Sequence, residues 1–259
     1  MHLLAAFALF LDLGSALLVA FIPTLLWVLT SPSRVFRPRN ISQFFMAKTW
    51  ETFGDAIDER DRVDKDKLIA PNAYGVVLDL GAGNGHAIPY LDTKRVTKYV
   101  AVEPNALMHP KLRQTADKAG FTEANGSLLI LGCGGEDINT ILQALGGTHS
   151  IDTIVSVMAL CSVPDPQKTA RVLAQEALKP GGLFLFYEHV LSPRKDVQWW
   201  QRLWTPLWVR AFDGCCLDRP THIWIDEIGG WSDKAVWGNA DETEENLFLH
   251  RSGKFVKAA

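Results

Sequence analysis

From residue 75 onward, short apolar runs alternate with longer amphipathic stretches, the pattern of strands and helices taking turns in one layered α/β sheet. Five runs read as strands: Gly75–Leu80, Lys98–Val102, Leu128–Leu131, Ile151–Val157 and Leu183–Tyr187. Val76-Val77-Leu78 is apolar without alternation, so this strand is expected to be parallel and buried on both faces. Asp165 is a candidate N-cap with Pro166 at the first helical position, and Lys179-Pro180-Gly181-Gly182 is expected to stop the helix that follows. Upstream, Ser33 to Asn40 reads as a basic, proline-containing linker. Ile41 to about Asp61 has helical apolar spacing through Phe45, Thr49, Trp50 and Phe53.

The amino terminus breaks this pattern. Leu3 to Leu29 is apolar apart from Asp12, and as a helix it reaches about 40 Å, against a hydrocarbon core of roughly 30 Å. It is expected to span a bilayer or lie deep in it, and Pro23 offers a kink or the apex of a hairpin within one leaflet. Arg34, Arg37, Arg39 and Lys48 follow with no acid before Glu51, which places the rest of the chain in the cytosol. A cleaved signal peptide fits less well, because no Lys or Arg precedes the apolar run and no small-x-small site follows it. The expected organisation is a membrane anchor over 1–33, a linker and helix over 34–74, and one domain over 75–259.

A chain of 259 residues with 47% hydrophobic content suffices for one such domain with a full core, and a second large domain would not fit. Net charge is −3 and no basic block interrupts the core region, so no nucleic-acid partner is expected. Cys133, Cys161, Cys215 and Cys216 show neither paired zinc spacing nor a disulfide framework. No metal is expected from this spacing, and Cys215 and Cys216 read as two free thiols, since a vicinal disulfide is strained.

The chemistry enters at Asp79-Leu80-Gly81-Ala82-Gly83-Asn84-Gly85, where glycines at a strand-to-helix turn let bare backbone approach a ligand. The spacing is GxGxG with His86 next, whereas a dinucleotide fingerprint needs its third glycine at that position, which argues against a pyrophosphate. Tyr99-Val100-Ala101-Val102 then closes on Glu103, about twenty residues beyond the first glycine, where such folds place a ribose-binding acid. This pair of motifs resembles the class I S-adenosylmethionine (SAM) methyltransferases. Leu178-Lys179-Pro180-Gly181-Gly182 is similar to their turn before the fifth strand, and Gly135-Glu136-Asp137 to their exit from the third. The resemblance implies a Rossmann-like fold with a mostly parallel seven-stranded sheet, here preceded by the N-terminal membrane helix read from the apolar run, and SAM as cofactor. It also implies cofactor contacts from Asp79, Gly81, Gly83, Gly85, Glu103, Pro104, Glu136, Asp137, Met158 and Leu160, with Glu103 on the ribose and Asp137 on the adenine amino group. Asp137 also reads as the N-cap of a helix over Ile138–Leu145, and the helix from Ile41 is expected to cover the cofactor site.

Leu160-Cys161-Ser162-Val163, Tyr187-Glu188-His189-Val190 and Phe212-Asp213-Gly214-Cys215 resemble segments of the membrane-anchored methyltransferase-like proteins that methylate alkyl thiols. S-methylation of a small lipophilic thiol is therefore the favoured activity. O- or N-methylation of a natural product or other hydrophobic metabolite is the alternative reaction, and a membrane-docked, SAM-binding scaffold without turnover is the alternative role. His189, at the carboxyl end of a strand, is the candidate base; Asp213 is a candidate to orient it or a polar acceptor, and Cys161 reads as small packing beside the cofactor. Trp200, Trp204 and Trp208 share one helical face, which suits core packing or a lid at a membrane interface. The domain is expected on the cytosolic face of the endoplasmic reticulum or on a lipid droplet.

Overall fold

The protein is described by a computed structural model covering residues 3–259, with side chains described for Phe7 and from Leu9 onward. Met1 and His2, which the expected anchor includes, lie outside the described residues. The strands are β1 (Gly75–Leu80), β2 (Val96–Val102), β3 (Leu128–Leu131), β4 (Ile151–Val157), β5 (Leu178–His189), β6 (Trp231–Trp237) and β7 (His250–Lys257). The helices are α1 (Leu3–Leu29), α2 (Pro38–Arg60), α3 (Arg62–Ile69), α4 (His109–Ala119), α5 (Ile138–Ala144), α6 (Pro166–Val172), α7 (Lys195–Ala211) and α8 (Thr221–Glu227).

The strands form one sheet in the order β3-β2-β1-β4-β5-β7-β6. The first five pair in parallel, and β7 is antiparallel to both β5 and β6. Burial on both faces explains the unbroken apolar runs. Val77 belongs to a core with Leu68, Tyr99 and Leu112 on one side, while its neighbour Leu78 joins Ile154, Phe184 and Ile225 on the other. Strand order reverses between β1 and β4, and at such a switch point the crossovers diverge and leave a crevice beyond the carboxyl ends of the strands.

Three boundaries differ from the sequence reading. β2 begins at Val96, because Gly75 pairs with Val96 before a register shift. Lys179–Gly182 does not separate helix from strand: helical backbone continues past α6 to Ala177, and Leu178 already pairs with Ile151. The next pair is Thr153 with Leu183, so the four residues bulge from β5, with Gly181 at φ +75°. The helix expected from Ile41 starts at Pro38, where a proline at the first helical position presets φ, and continues almost directly into α3.

α1 is not set apart from the domain. Leu9, Ala16 and Ala20 are buried in a third core with Phe45, Trp204, Trp208 and Phe212, and small residues at Ala16 and Ala20 allow close approach. Phe10 packs edge-on to Trp204 at 4.4 Å and Trp27 stacks on Phe44 at 4.6 Å. Among the described residues, this is the one helix long and apolar enough to cross a membrane, over Leu9–Leu29. On α7, Trp204 and Trp208 are buried and Trp200 half-buried, whereas Trp199, Leu203 and Leu207 are exposed on an adjacent face. The tryptophan stripe is therefore packed against the fold, and a second apolar stripe faces outward.

Candidate active site

A cavity of about 470 Å³ lies over the carboxyl ends of β1, β2, β4 and β5. Its floor is the turn after β1. Gly81 has φ +68° and an added Cβ would sit 2.7 Å from the Ala159 Cβ; Gly83 has φ +56° and faces Trp50. A side chain at either position would strain the backbone, and at Gly81 it would also close the crevice. Asp79 is buried at the end of β1, accepts a hydrogen bond from the Tyr99 hydroxyl, and is pushed up to about 7, mainly by burial. Glu103 directly follows β2 and accepts from Gly83 N at 2.8 Å and from Asn105 N at 2.7 Å. Burial raises its pKa against the pull of these two bonds.

α2 forms the wall over this floor. Trp50 Nε1 donates to His86 Nδ1 at 3.3 Å, and Asn105 Nδ2 donates to Gln43 O at 2.9 Å, so the helix is tied to both loops that frame the crevice. Gly54 is buried here, and an added Cβ would meet His86 Cε1 at 2.8 Å, so glycine lets the helix approach the imidazole. Arg39, Met46, Thr49, Phe53 and Ile57 also line the cavity, as do Asp12 and Ser15 from α1.

The loop after β4 forms the far wall. Met158 has φ +51° and Asp213 φ +44°, two of three non-glycine residues with positive φ among those described, and both line the cavity. Such backbone persists only where its surroundings hold it. Glu188 supplies that hold: it is fully buried and accepts from Ser156 Oγ at 2.7 Å, Ala159 N at 3.0 Å and Leu160 N at 3.2 Å. Burial pushes Glu188 up to about 7. Cys216 N donates to Cys161 O at 2.9 Å, and Arg219 Nη1 donates to Leu160 O at 2.8 Å and Val163 O at 2.6 Å. These bonds bring the Asp213–Cys216 turn against the β4 loop.

At their junction three side chains converge. Cys161, His189 and Cys215 are all buried, and one donor atom from each lies within 4.8 Å of the others. Cys215 Sγ is 3.4 Å from His189 Nε2, and the His189 ring packs edge-on to Phe248 at 5.4 Å. The expected pairing of Asp213 with His189 is not formed. Asp213 N donates to Ser42 Oγ at 2.9 Å, and its carboxyl group acts on Glu103, whose pKa it helps to raise.

Of the residues expected to contact a cofactor, Asp79, Gly81, Gly83, Glu103, Pro104, Glu136 and Met158 line the cavity. Gly85, Asp137 and Leu160 stand behind it. Gly85 packs under Ile88 and Leu112, Asp137 caps α5 by accepting from Thr140 N at 3.4 Å, and Leu160 N is bonded to Glu188. Neighbouring backbone at Gly134 and Gly135 lines the wall in place of Asp137. The sequence reading did not include Cys215, Trp50, His86 or Asp12 in the site. Asp12 had a signal, as the one charge in an apolar helix; Cys215 had only its place in the Phe212-Asp213-Gly214-Cys215 motif, because its partners lie far away in the chain.

Residues 51–225 match a family model described as a methyltransferase domain. Among curated proteins, the chain is 30% identical to the thiol S-methyltransferase TMT1B of Rattus norvegicus over 151 residues, 58% of this chain and 57% of that protein. It is 37% identical to the human (Homo sapiens) thiol S-methyltransferase TMT1B over 93 residues, 36% of this chain and 35% of that protein. The chain thus aligns with about half the length of these relatives, or less. Among solved structures, an O-methyltransferase family protein from Burkholderia thailandensis superposes with a TM-score of 0.59 at 12% identity, covering 93% of this chain and 71% of that one, which bears on the fold alone. With a family model spanning most of its length and a sheet of matching topology, the chain belongs to the class I SAM-dependent methyltransferases, enzymes whose methyl donor is SAM.

Proposed function

We propose that this enzyme transfers the SAM methyl group to the sulfur of a small lipophilic thiol at a membrane surface. The observation that carries this reading is the buried Cys161, His189 and Cys215 cluster, a soft polar patch in the cavity wall beyond the glycine turn. The thiol S-methyltransferases among its relatives support it. In this reading Gly81, Gly83 and Gly85 shape the turn around the methionine end of SAM, beside Asp79, while Glu103 and Pro104 hold the ribose. Glu136 and the backbone before Asp137 border the adenine, and Met158 and Leu160 close the loop beneath it. The acceptor enters from the α1, α2 and α7 side, past Asp12, Trp208 and Phe212.

Methyl transfer from a sulfonium is an in-line displacement, so the enzyme chiefly brings the acceptor lone pair within about 3–3.5 Å of the methyl carbon and excludes water. A thiol ionises near ~8.5 and a phenol near ~10, so a sulfur acceptor asks less of its surroundings. His189 is the group on the acceptor side that supports loss of the thiol proton, and Asp213 borders the space between acceptor and ribose.

The membrane part of the reading rests on exposed apolar surface. Leu11, Leu18, Ile22, Leu25 and Leu29 face outward along α1, and Trp199, Leu203 and Leu207 along α7. Phe7 and Phe10, half exposed, bridge the two by packing on Trp200 and Trp204. Water does not tolerate a surface of this extent, whereas a lipid leaflet does. Arg37 and Arg39 at the start of α2 and Arg202 and Arg210 along α7 are exposed beside this surface, where their long side chains can reach lipid headgroups in such a pose. In this reading 1–33 is the anchor, with α1 lying in the membrane plane and walling the cavity, 34–74 is the connection and cover, and 75–259 is the catalytic domain.

The test is a series of straight-chain alkyl thiols of increasing length assayed with vesicle-bound enzyme. Each buried methylene contributes about 0.8 kcal/mol, so kcat/KM should rise about fourfold per carbon until the cavity is filled. A series with no length dependence would refute a lipophilic acceptor.

A further inference from the structure

Cys161 and Cys215 come from two separate loops and His189 from the end of β5, and the three are 2%, 8% and 3% exposed. All three side chains are buried, and the three donor atoms, two sulfurs and one imidazole nitrogen, are of the kind that bind soft or borderline divalent metals. Their spacing is also that of a metal site. A tetrahedral zinc ion about 2.3 Å from sulfur and about 2.0–2.1 Å from nitrogen sets its ligands roughly 3.5–3.8 Å apart. Cys215 Sγ and His189 Nε2 stand 3.4 Å apart, and the third donor lies within 4.8 Å of both. All three residues also line the cavity, so the fourth corner of the tetrahedron opens toward the space assigned to the acceptor. Three protein ligands with one open position is the arrangement of catalytic rather than structural zinc.

We propose that Cys161, His189 and Cys215 bind one zinc ion whose open position takes the acceptor sulfur. This rests on the thiol reading of the site and deepens it: His189 supports proton loss as a ligand instead of taking the proton itself. Two cysteine thiolates neutralise the divalent ion, which keeps enough Lewis acidity to bind a third sulfur as thiolate. The acceptor thiol releases its proton to solvent as its sulfur binds zinc. A sulfur lone pair then attacks the SAM methyl carbon, a carbon–sulfur bond forms, and the bond to the SAM sulfonium breaks with its electron pair returning to that sulfur. The products are S-adenosylhomocysteine and a neutral methyl thioether, which binds zinc weakly and leaves. Selectivity for sulfur over oxygen and nitrogen acceptors follows from the softness of the site.

The test uses full-length enzyme produced with zinc supplementation, purified in detergent and shown by calorimetry to bind SAM. Elemental analysis should find stoichiometric zinc. Replacement by cobalt should give the thiolate charge-transfer band and intense visible bands of a tetrahedral site, perturbed when an alkyl thiol is added. Cys161→Ser and Cys215→Ser should each lose the metal and the bands while still binding SAM, and Cys133→Ser should keep them. Stripping with a chelator should lower thiol methylation at least tenfold, with recovery on adding zinc. Metal-free enzyme that binds SAM and methylates thiols at the full rate would overturn the zinc site and leave the proposed reaction standing. Zinc retained equally in the Cys161→Ser, Cys215→Ser double variant would also overturn it. Zinc bound at the cluster with methyl transfer only to alcohols or amines would instead overturn the thiol reading on which the proposal rests.

Discussion

Glu103 and Gly83 are joined by a 2.8 Å hydrogen bond from the glycine amide to the carboxylate, so one side chain ties the glycine turn to the end of the neighbouring strand. The second carboxylate oxygen is fixed by Asn105 N, and the group points into the cavity already oriented. Glu103→Ala should weaken SAM binding by about 1.5–3 kcal/mol, the range for hydrogen bonds to a charged acceptor. Titration calorimetry on a folded variant measures it, and unchanged affinity would remove Glu103 from the cofactor site.

Glu188 holds the β4 loop with one oxygen, which accepts from Ser156, Ala159 and Leu160, while its Oε2 has no partner. Alanine would orphan two buried amide donors at about 1–3 kcal/mol each, whereas glutamine keeps an acceptor in place and removes a buried charge. Glu188→Ala is expected to lose at least ~2 kcal/mol of stability and SAM affinity with it, and Glu188→Gln to lose much less. Denaturant titration of both variants decides; equal losses would contradict this role.

Asp79 supplies a pH dependence. Its carboxyl is pushed from an ordinary 3.8 up to about 7, chiefly by burial, with Glu103 adding to the rise and the Tyr99 hydroxyl opposing it. Between those values the folded protein holds a proton that the unfolded chain has released, so this group's contribution falls as pH rises toward 7 and is constant above it. The full effect is on the order of ~4 kcal/mol at most. Asp79→Asn should therefore compare more favourably with the parent at pH 8 than at pH 5 in paired denaturation curves. Parallel profiles would show that Asp79 titrates normally.

The outward stripe of α7 is expected to act with α1 at the lipid surface. Leu203→Glu or Leu207→Glu places a charge on residues that are 54% and 47% exposed, so the fold should be unaffected. Sedimentation with anionic vesicles should show the bound fraction lowered severalfold and SAM affinity retained. Vesicle binding equal to the parent would confine the membrane contact to α1.

Much of the central sheet was legible in the sequence because buried parallel strands are continuous apolar runs, and both acids flanking the glycine turn end such runs. β6 and β7 were not located: Trp231–Trp237 is largely exposed and His250–Lys257 carries Arg251 and Lys254, so neither shows the apolar run of a buried strand. The cavity wall that carries His189 and Cys215 was half legible. His189 was found by its place at a strand end, but Cys215 was read apart from it, since the contact between them depends on Arg219, Cys216 and Cys161 closing two distant loops. The N-cap reading of Asp137 is borne out at α5, and that reading leaves its adenine role open, because an N-cap and an adenine contact call for the same residue type at the same turn. Asp12 was legible as an anomaly and not as a site residue, because the packing of α1 on the domain is a tertiary relationship.

The most direct test of the thiol reading is a competition in one vessel. An alkyl thiol, the alcohol of the same chain, the primary amine and a phenol are supplied at equal concentration with isotopically labelled SAM, and the products are resolved by mass spectrometry. The methyl thioether should dominate the labelled products. An O-methyl or N-methyl product with no labelled thioether would contradict the account.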